Sequence, residues 1–90
     1  MLTAKDIHIG DILEAKSKTN KLHILIESII DKTFEPFELV WAKVLVMNEK
    51  IKFECCIREY MIWLSDESEF EYSKICNVFE LEGQNGHKVV

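Results

Sequence analysis

One proline, three glycines and three cysteines in ninety residues exclude several kinds of protein at once. So little Pro and Gly rules out a proline-rich spacer, a glycine-rich flexible tract and a collagen-like repeat. The cysteines are odd in number, with Cys55 and Cys56 adjacent and Cys76 alone. That is not the even, spaced set of a disulfide-stapled scaffold. Adjacent cysteines in an extended strand point to opposite faces, which keeps them from bridging each other. Reduced thiols in a cytoplasmic setting are the expectation.

Long apolar runs are also missing. Nothing approaches the roughly 20 residues that a membrane-spanning helix needs. The opening Met1-Leu2-Thr3-Ala4-Lys5-Asp6-Ile7 lacks the basic region and apolar stretch of a signal peptide. No membrane partner is expected.

The spacings that carry chemistry are absent as well. Zinc sites need ligand pairs a few residues apart, and His8, His23, His87, Cys55, Cys56 and Cys76 form none. No nucleophile elbow, cysteine-protease signature or phosphate-cradling glycine loop occurs. Gly10, Gly83 and Gly86 stand singly, as turn glycines do. The sequence therefore predicts a non-enzymatic protein with no metal or cofactor.

What remains is a globular composition, 48% hydrophobic, enough for one thin-cored domain over residues 1–90. Gly10-Asp11 marks a turn leading into Ile12, Leu13 and Ala15, a first strand, and Lys16–Asn20 is a polar loop. Lys21–Asp31 fits two templates. Leu22, Leu25, Ile26, Ile29 and Ile30 match a helix, with Asn20 as its N-cap. Leu22, Ile24, Ile26 and Ile30 match one face of a strand. Four isoleucines within seven residues favour the strand, because branching at Cβ restricts the helical rotamer.

Phe37–Met47 is apolar on both faces. Phe37, Leu39, Trp41, Leu45 and Met47 share one, and Val40, Ala42, Val44 and Val46 share the other. Such a strand is central or belongs to a tightly curled sheet. Asn48-Glu49-Lys50 reads as a hairpin loop into a strand ending at Trp63. There Ile51, Phe53, Cys55, Ile57, Met61 and Trp63 form the apolar face, and Lys52, Glu54, Cys56 and Arg58 turn toward solvent. Trp41 and Trp63 are accordingly expected in the core. Asp66 and Glu69 have capping-box spacing, which predicts a helical turn or two. Ile75–Glu82 reads as the last strand, and residues 83–90 as a loop or flexible tail. Five short-looped strands suggest a mainly β domain, a small five-stranded barrel with a short helical turn, since closure removes exposed edges. The alternative is an α+β fold with residues 21–31 helical on an antiparallel sheet.

The charge is uneven. Eight lysines and eight acids cancel over residues 1–53, whereas residues 54–90 hold eight acids against Arg58, Lys74 and Lys88. All of the net charge of −5 therefore lies in the second part. Acids beside aromatic rings make Tyr60, Asp66, Glu67, Glu69, Phe70, Glu71 and Tyr72 the candidate partner-binding residues, because amphipathic rings dominate interface energetics. A basic protein partner is electrostatically favoured. Lys16, Lys18 and Lys21 are the candidate nucleic-acid contacts, although the overall negative field opposes a polyanion. Self-association through exposed strand edges is a further expectation.

Ile9-Gly10-Asp11-Ile12-Leu13, then Ile24-Leu25-Ile26-Glu27-Ser28-Ile29, the Trp-bearing hairpin and Val78-Phe79-Glu80-Leu81 together span residues 7–82. In this order they resemble small SH3-like β-barrel proteins of bacteriophages and other mobile elements. The resemblance implies an SH3-like fold and a habit of binding other macromolecules. It carries over no functional residue. The function it implies is a protein-binding module, a phage accessory protein that modulates a host protein. The alternatives are a small virion or assembly component and a nucleic-acid-binding barrel.

Overall fold

The computed structural model describes residues 2–48 and 55–80. Five strands form one antiparallel sheet: β1 (Asp11–Lys16), β2 (Lys21–Thr33), β3 (Leu39–Asn48), β4 (Cys55–Trp63) and β5 (Glu71–Asn77). Their order across the sheet is β4-β3-β2-β1-β5, so β4 and β5 lie at its two ends. The mainly β reading holds. Residues 21–31 are strand, not helix, and β2 runs two residues further, to Thr33. No helix among the described residues is long and apolar enough to cross a membrane. The expected hairpin loop at 48–50, the 51–54 strand start, residues 81–82 of the expected last strand and the tail at 83–90 lie outside the described residues, save that Asn48 closes β3.

The buried core comes from alternate residues of the strands. Leu13 and Ala15 of β1, Ile24 and Ile26 of β2, Val40, Ala42, Val44 and Val46 of β3, and Ile62 of β4 face inward. In register, Ile24 stands opposite Val46 and Ile26 opposite Val44. The pattern then slips. Register shifts between Ile26 and Ser28 and between Ile29 and Asp31 pair Ala42 with Ile29 and Val40 with Lys32. Each bulge adds a residue and bends the strand, so Ile29 packs on the core and Ile30 is exposed. Strict alternation placed Ile30 on the inner face; two bulges overturn that.

Trp41 and Trp63 are likewise not core residues. Both lie on the outer face, with Ile57 and Met61. Side chains converge on the concave face of a curled sheet, where Ala and Val fit and indole rings do not. On β4 the expected polarity of the faces is therefore inverted: Ile62 is buried and half-buried Tyr60 packs on the core.

An N-terminal 3-10 turn (Ala4–Asp6) covers part of the core and buries Ala4 and, just after it, Ile7. Asp6 Oδ2 accepts from the Thr3 amide at 2.8 Å and the Thr3 hydroxyl at 3.1 Å, which closes the turn on itself. Glu38 Oε2 accepts from the Ala4 amide at 3.0 Å, and Lys32 Nζ donates to the Ile7 carbonyl at 2.6 Å. These two bonds fasten the segment to β2 and to the start of β3.

Helical turns at 65–72 do not form. Ser65 Oγ accepts from the Glu67 amide at 3.2 Å and Ser68 Oγ from the Phe70 amide at 3.3 Å. The serines satisfy locally the donors that a helix would have used. The last strand is also displaced, covering Glu71–Asn77 rather than 75–82. Asn77 Oδ1 accepts from the amides of Phe79 and Glu80 at 2.9 and 3.2 Å, and residues 78–80 are helical. An asparagine acting as an N-cap ends the strand there.

Candidate functional site

Lys16 ends β1 directly opposite Glu71, which begins β5. From that pair opens a groove of about 700 Å³ between the β1–β2 loop and the segment joining β4 to β5. Leu2, Leu64, Phe70 and Tyr72 supply its apolar surface, and Lys16 and Lys18 form one lip. Asp66, Glu69 and Glu71 form the other. All five charged side chains are exposed, so each is free to meet a ligand without first losing a buried position.

Short-range backbone chemistry holds both lips. Ser17 N–H donates to the Asn20 carbonyl at 2.8 Å, and Ser17 Oγ accepts from the Asn20 amide at 3.0 Å. This tight loop projects Lys18 at its tip. On the acidic side the Ser68 amide donates to the Ser65 carbonyl at 3.0 Å, and the two serine hydroxyls fix the remainder.

The rings are anchored from beneath. Phe70 and Tyr72 pack on the core with centroids 6.3 Å apart and planes inclined at 45°. The Tyr72 hydroxyl lies 3.2 Å from that of Tyr60 on β4. Burial, then the hydrogen bond from Tyr60, push the Tyr72 phenol well above its ordinary value. It stays neutral at physiological pH, and its role is packing and hydrogen bonding.

The two residue sets that the sequence offered as rival sites thus face each other across one groove. Of the aromatic and acidic set, Asp66, Glu69, Phe70, Glu71 and Tyr72 line it, Tyr60 supports Tyr72, and Glu67 stands outside the lining. Of the lysines, Lys16 and Lys18 line it. Lys21 does not: its Nζ lies 3.8 Å from Glu14 Oε2. Leu2, Leu64, Ser65 and Ser68 escaped the sequence reading. Isolated apolar residues and serines in connecting segments carry no periodic signal.

A second polar cluster was also missed. Asp11 is buried, and its carboxylate accepts from the His8 amide at 2.7 Å and from Asn77 Nδ2 at 2.9 Å. Lys74 Nζ lies 3.1 Å away and also donates to the Asp6 carbonyl. Asn77 Nδ2 reaches the Ile9 carbonyl at 3.1 Å as well. These contacts tie β5 to the turn before β1. The cluster is a structural knot. Among the described residues no group of three or more His, Cys, Asp or Glu side chains is arranged to hold a metal ion.

Comparison with known proteins finds no matching family model, no matching curated protein and no matching solved structure.

Proposed function

We propose that the chain is a non-enzymatic protein-binding module that takes an extended segment carrying a basic residue into the groove. The observation behind this is the meeting of Phe70 and Tyr72 with Asp66, Glu69 and Glu71 on one concave surface. Anchored rings supply contact area at little entropic cost, and carboxylates at the lip favour a cation and steer its approach. The excess of acids over lysines across the groove disfavours a nucleic-acid phosphate backbone, as does the pairing of Lys21 with Glu14.

In this reading the chain works in the cytoplasm. Its SH3-like resemblance to phage proteins supports the role of an accessory factor that modulates a host protein. A gene neighbourhood of early phage functions would accord with that role, whereas a virion operon would count for the assembly reading. The assembly reading has one observation in its favour, the exposed apolar outer face of β3 and β4.

The groove is tested with randomised fluorescent peptides fixed at one position as Lys, Arg, Asp or Glu, followed by anisotropy. Peptides with Lys or Arg should be retained, and Glu69→Lys with Glu71→Lys should weaken them about tenfold or more. Phe70→Ala should weaken binding without changing the preference for a cation. Equal retention of acidic and basic peptides, or none of either by folded protein, would reject the groove as a basic-peptide site.

A further inference from the structure

The groove leaves unused an exposed apolar surface on the other side of the sheet. On the outer face of β3 and β4, Trp41 is 38% exposed, Met61 52%, Trp63 36% and Ile57 61%. They are neighbours, because Trp41 stands opposite Met61, Leu39 opposite Trp63 and Leu45 opposite Ile57. Among the described residues β4 is also an end strand, with no further strand beside it. Single exposed apolar residues need no explanation, but a contiguous patch marks a contact surface.

The polar residues on this face narrow down its occupant. Between the apolar rows stands one cross-strand charge pair, Lys43 opposite Glu59. Two rows, Trp41–Met61 and Leu39–Trp63, lie on one side of it, and Leu45–Ile57, with Met47 beyond it on β3, lies on the other. Among the described residues β3 and β4 thus place one charge of each sign on this face, with Asp31 of β2 opposite Trp41 at its margin, although the chain carries −5. Two anionic copies repel at long range, and a face of low net charge is where they approach at least cost.

The face is also complementary to itself. A two-fold axis along the strands, midway between β3 and β4, sets β3 of one copy over β4 of the other. Each cross-strand pair then recurs between copies: Trp41 over Met61, Leu45 over Ile57, and Lys43 over Glu59 twice. Packed sheets lie about 10 Å apart with strands inclined by about 30°. That rotation displaces the ends of the rows most and the centre least, and Lys43–Glu59 is the central row. The charge pair thus fixes register, and the apolar rows supply the burial.

We propose that the outer face of β3 and β4 is a homodimer interface, in which two copies stack face to face as a β-sandwich. The self-complementary Lys43–Glu59 row specifies their alignment.

Charge reversal tests this by analytical ultracentrifugation over a dilution series. The unaltered protein should pass from monomer to dimer with rising concentration. Lys43→Glu gives each copy two acids in the row and Glu59→Lys gives two bases, so each variant alone should remain monomeric. An equimolar mixture of the two should associate at least about tenfold more tightly than either alone, because opposite rows then meet. Mixing cannot restore the pair within a chain, which separates docking from intrachain stability. Thermal melts of each variant confirm folding, since both side chains are exposed. An unaltered chain that stays monomeric throughout overturns the proposal, as does a mixture that does not associate.

Discussion

The hydroxyls of Tyr60 on β4 and Tyr72 on β5 lie 3.2 Å apart, although those strands are the two ends of the sheet. Backbone ladders join β4 to β3, β3 to β2, β2 to β1 and β1 to β5, and among the described residues none joins β4 to β5. The sheet therefore curls far enough for side chains from its ends to meet over the core. The bulges in β2 supply the bend.

Removing one hydroxyl should cost about 1 kcal/mol, the usual worth of a neutral hydrogen bond. Tyr60→Phe and Tyr72→Phe should each lower the urea midpoint, and the double variant should lose less than the sum of the two. Fully additive losses would show that the hydroxyls do not interact.

The same phenol sets an alkaline limit. Burial first, then the Tyr60 hydrogen bond, hold the folded-state value of Tyr72 above its ordinary 10.0. Above that ordinary value the unfolded chain releases the proton while the folded chain keeps it. The contribution to stability is thus complete below about pH 10 and is lost as pH rises further. Urea melts from about pH 8 to about pH 11 should show a steeper decline for the unaltered protein than for Tyr72→Phe. Parallel declines would contradict the burial of that hydroxyl.

Asp11→Ala should destabilise by about 3 kcal/mol, because the His8 amide, Asn77 Nδ2 and Lys74 all lose their acceptor together. Lys74→Ala should cost less, since its side chain is partly exposed and solvent screens the pair. Denaturant unfolding of both variants gives the order, and the reverse order would contradict the knot described here.

Gly10 has φ of 89°, and a Cβ there would meet Cδ2 of Phe79 and stand 2.7 Å from its Cε2 and 3.2 Å from Cγ2 of Val78. The Phe79 ring is largely exposed and has room to move aside, whereas the backbone conformation does not change. Gly10→Ala should therefore cost about 1–2 kcal/mol from the left-handed backbone alone. Adding Phe79→Ala should not restore the loss; full recovery would assign the cost to the ring instead.

Parity along the strands gives the simplest check of the core. Ile62→Ala should cost about 3 kcal/mol by opening a cavity, and Met61→Ala less than about 1 kcal/mol in dilute solution. Ile29→Lys should destabilise, and Ile30→Lys should be tolerated. Calorimetry distinguishes these from the reverse, which strict alternation from Ile24 would require.

By itself the sequence determined that the chain is mainly β, and where most strands lie. Alternation over Phe37–Met47 and the β-branched run in Lys21–Asp31 are local signals, and local sterics produce them. It also put the acids beside Phe70 and Tyr72, because they are close neighbours in one segment. Only the tertiary structure decided which face of β3 is the inside. Trp41 and Val44 are both apolar, and the choice depends on the curl of the sheet, which leaves no room for indole on its concave side. Tertiary structure also decided that Lys16 stands beside Glu71, 55 positions along the chain. That pairing comes from the first strand docking against the last. No spacing within a strand encodes it, which is why the lysine loop and the acidic segment looked like competing sites and prove to be two lips of one groove.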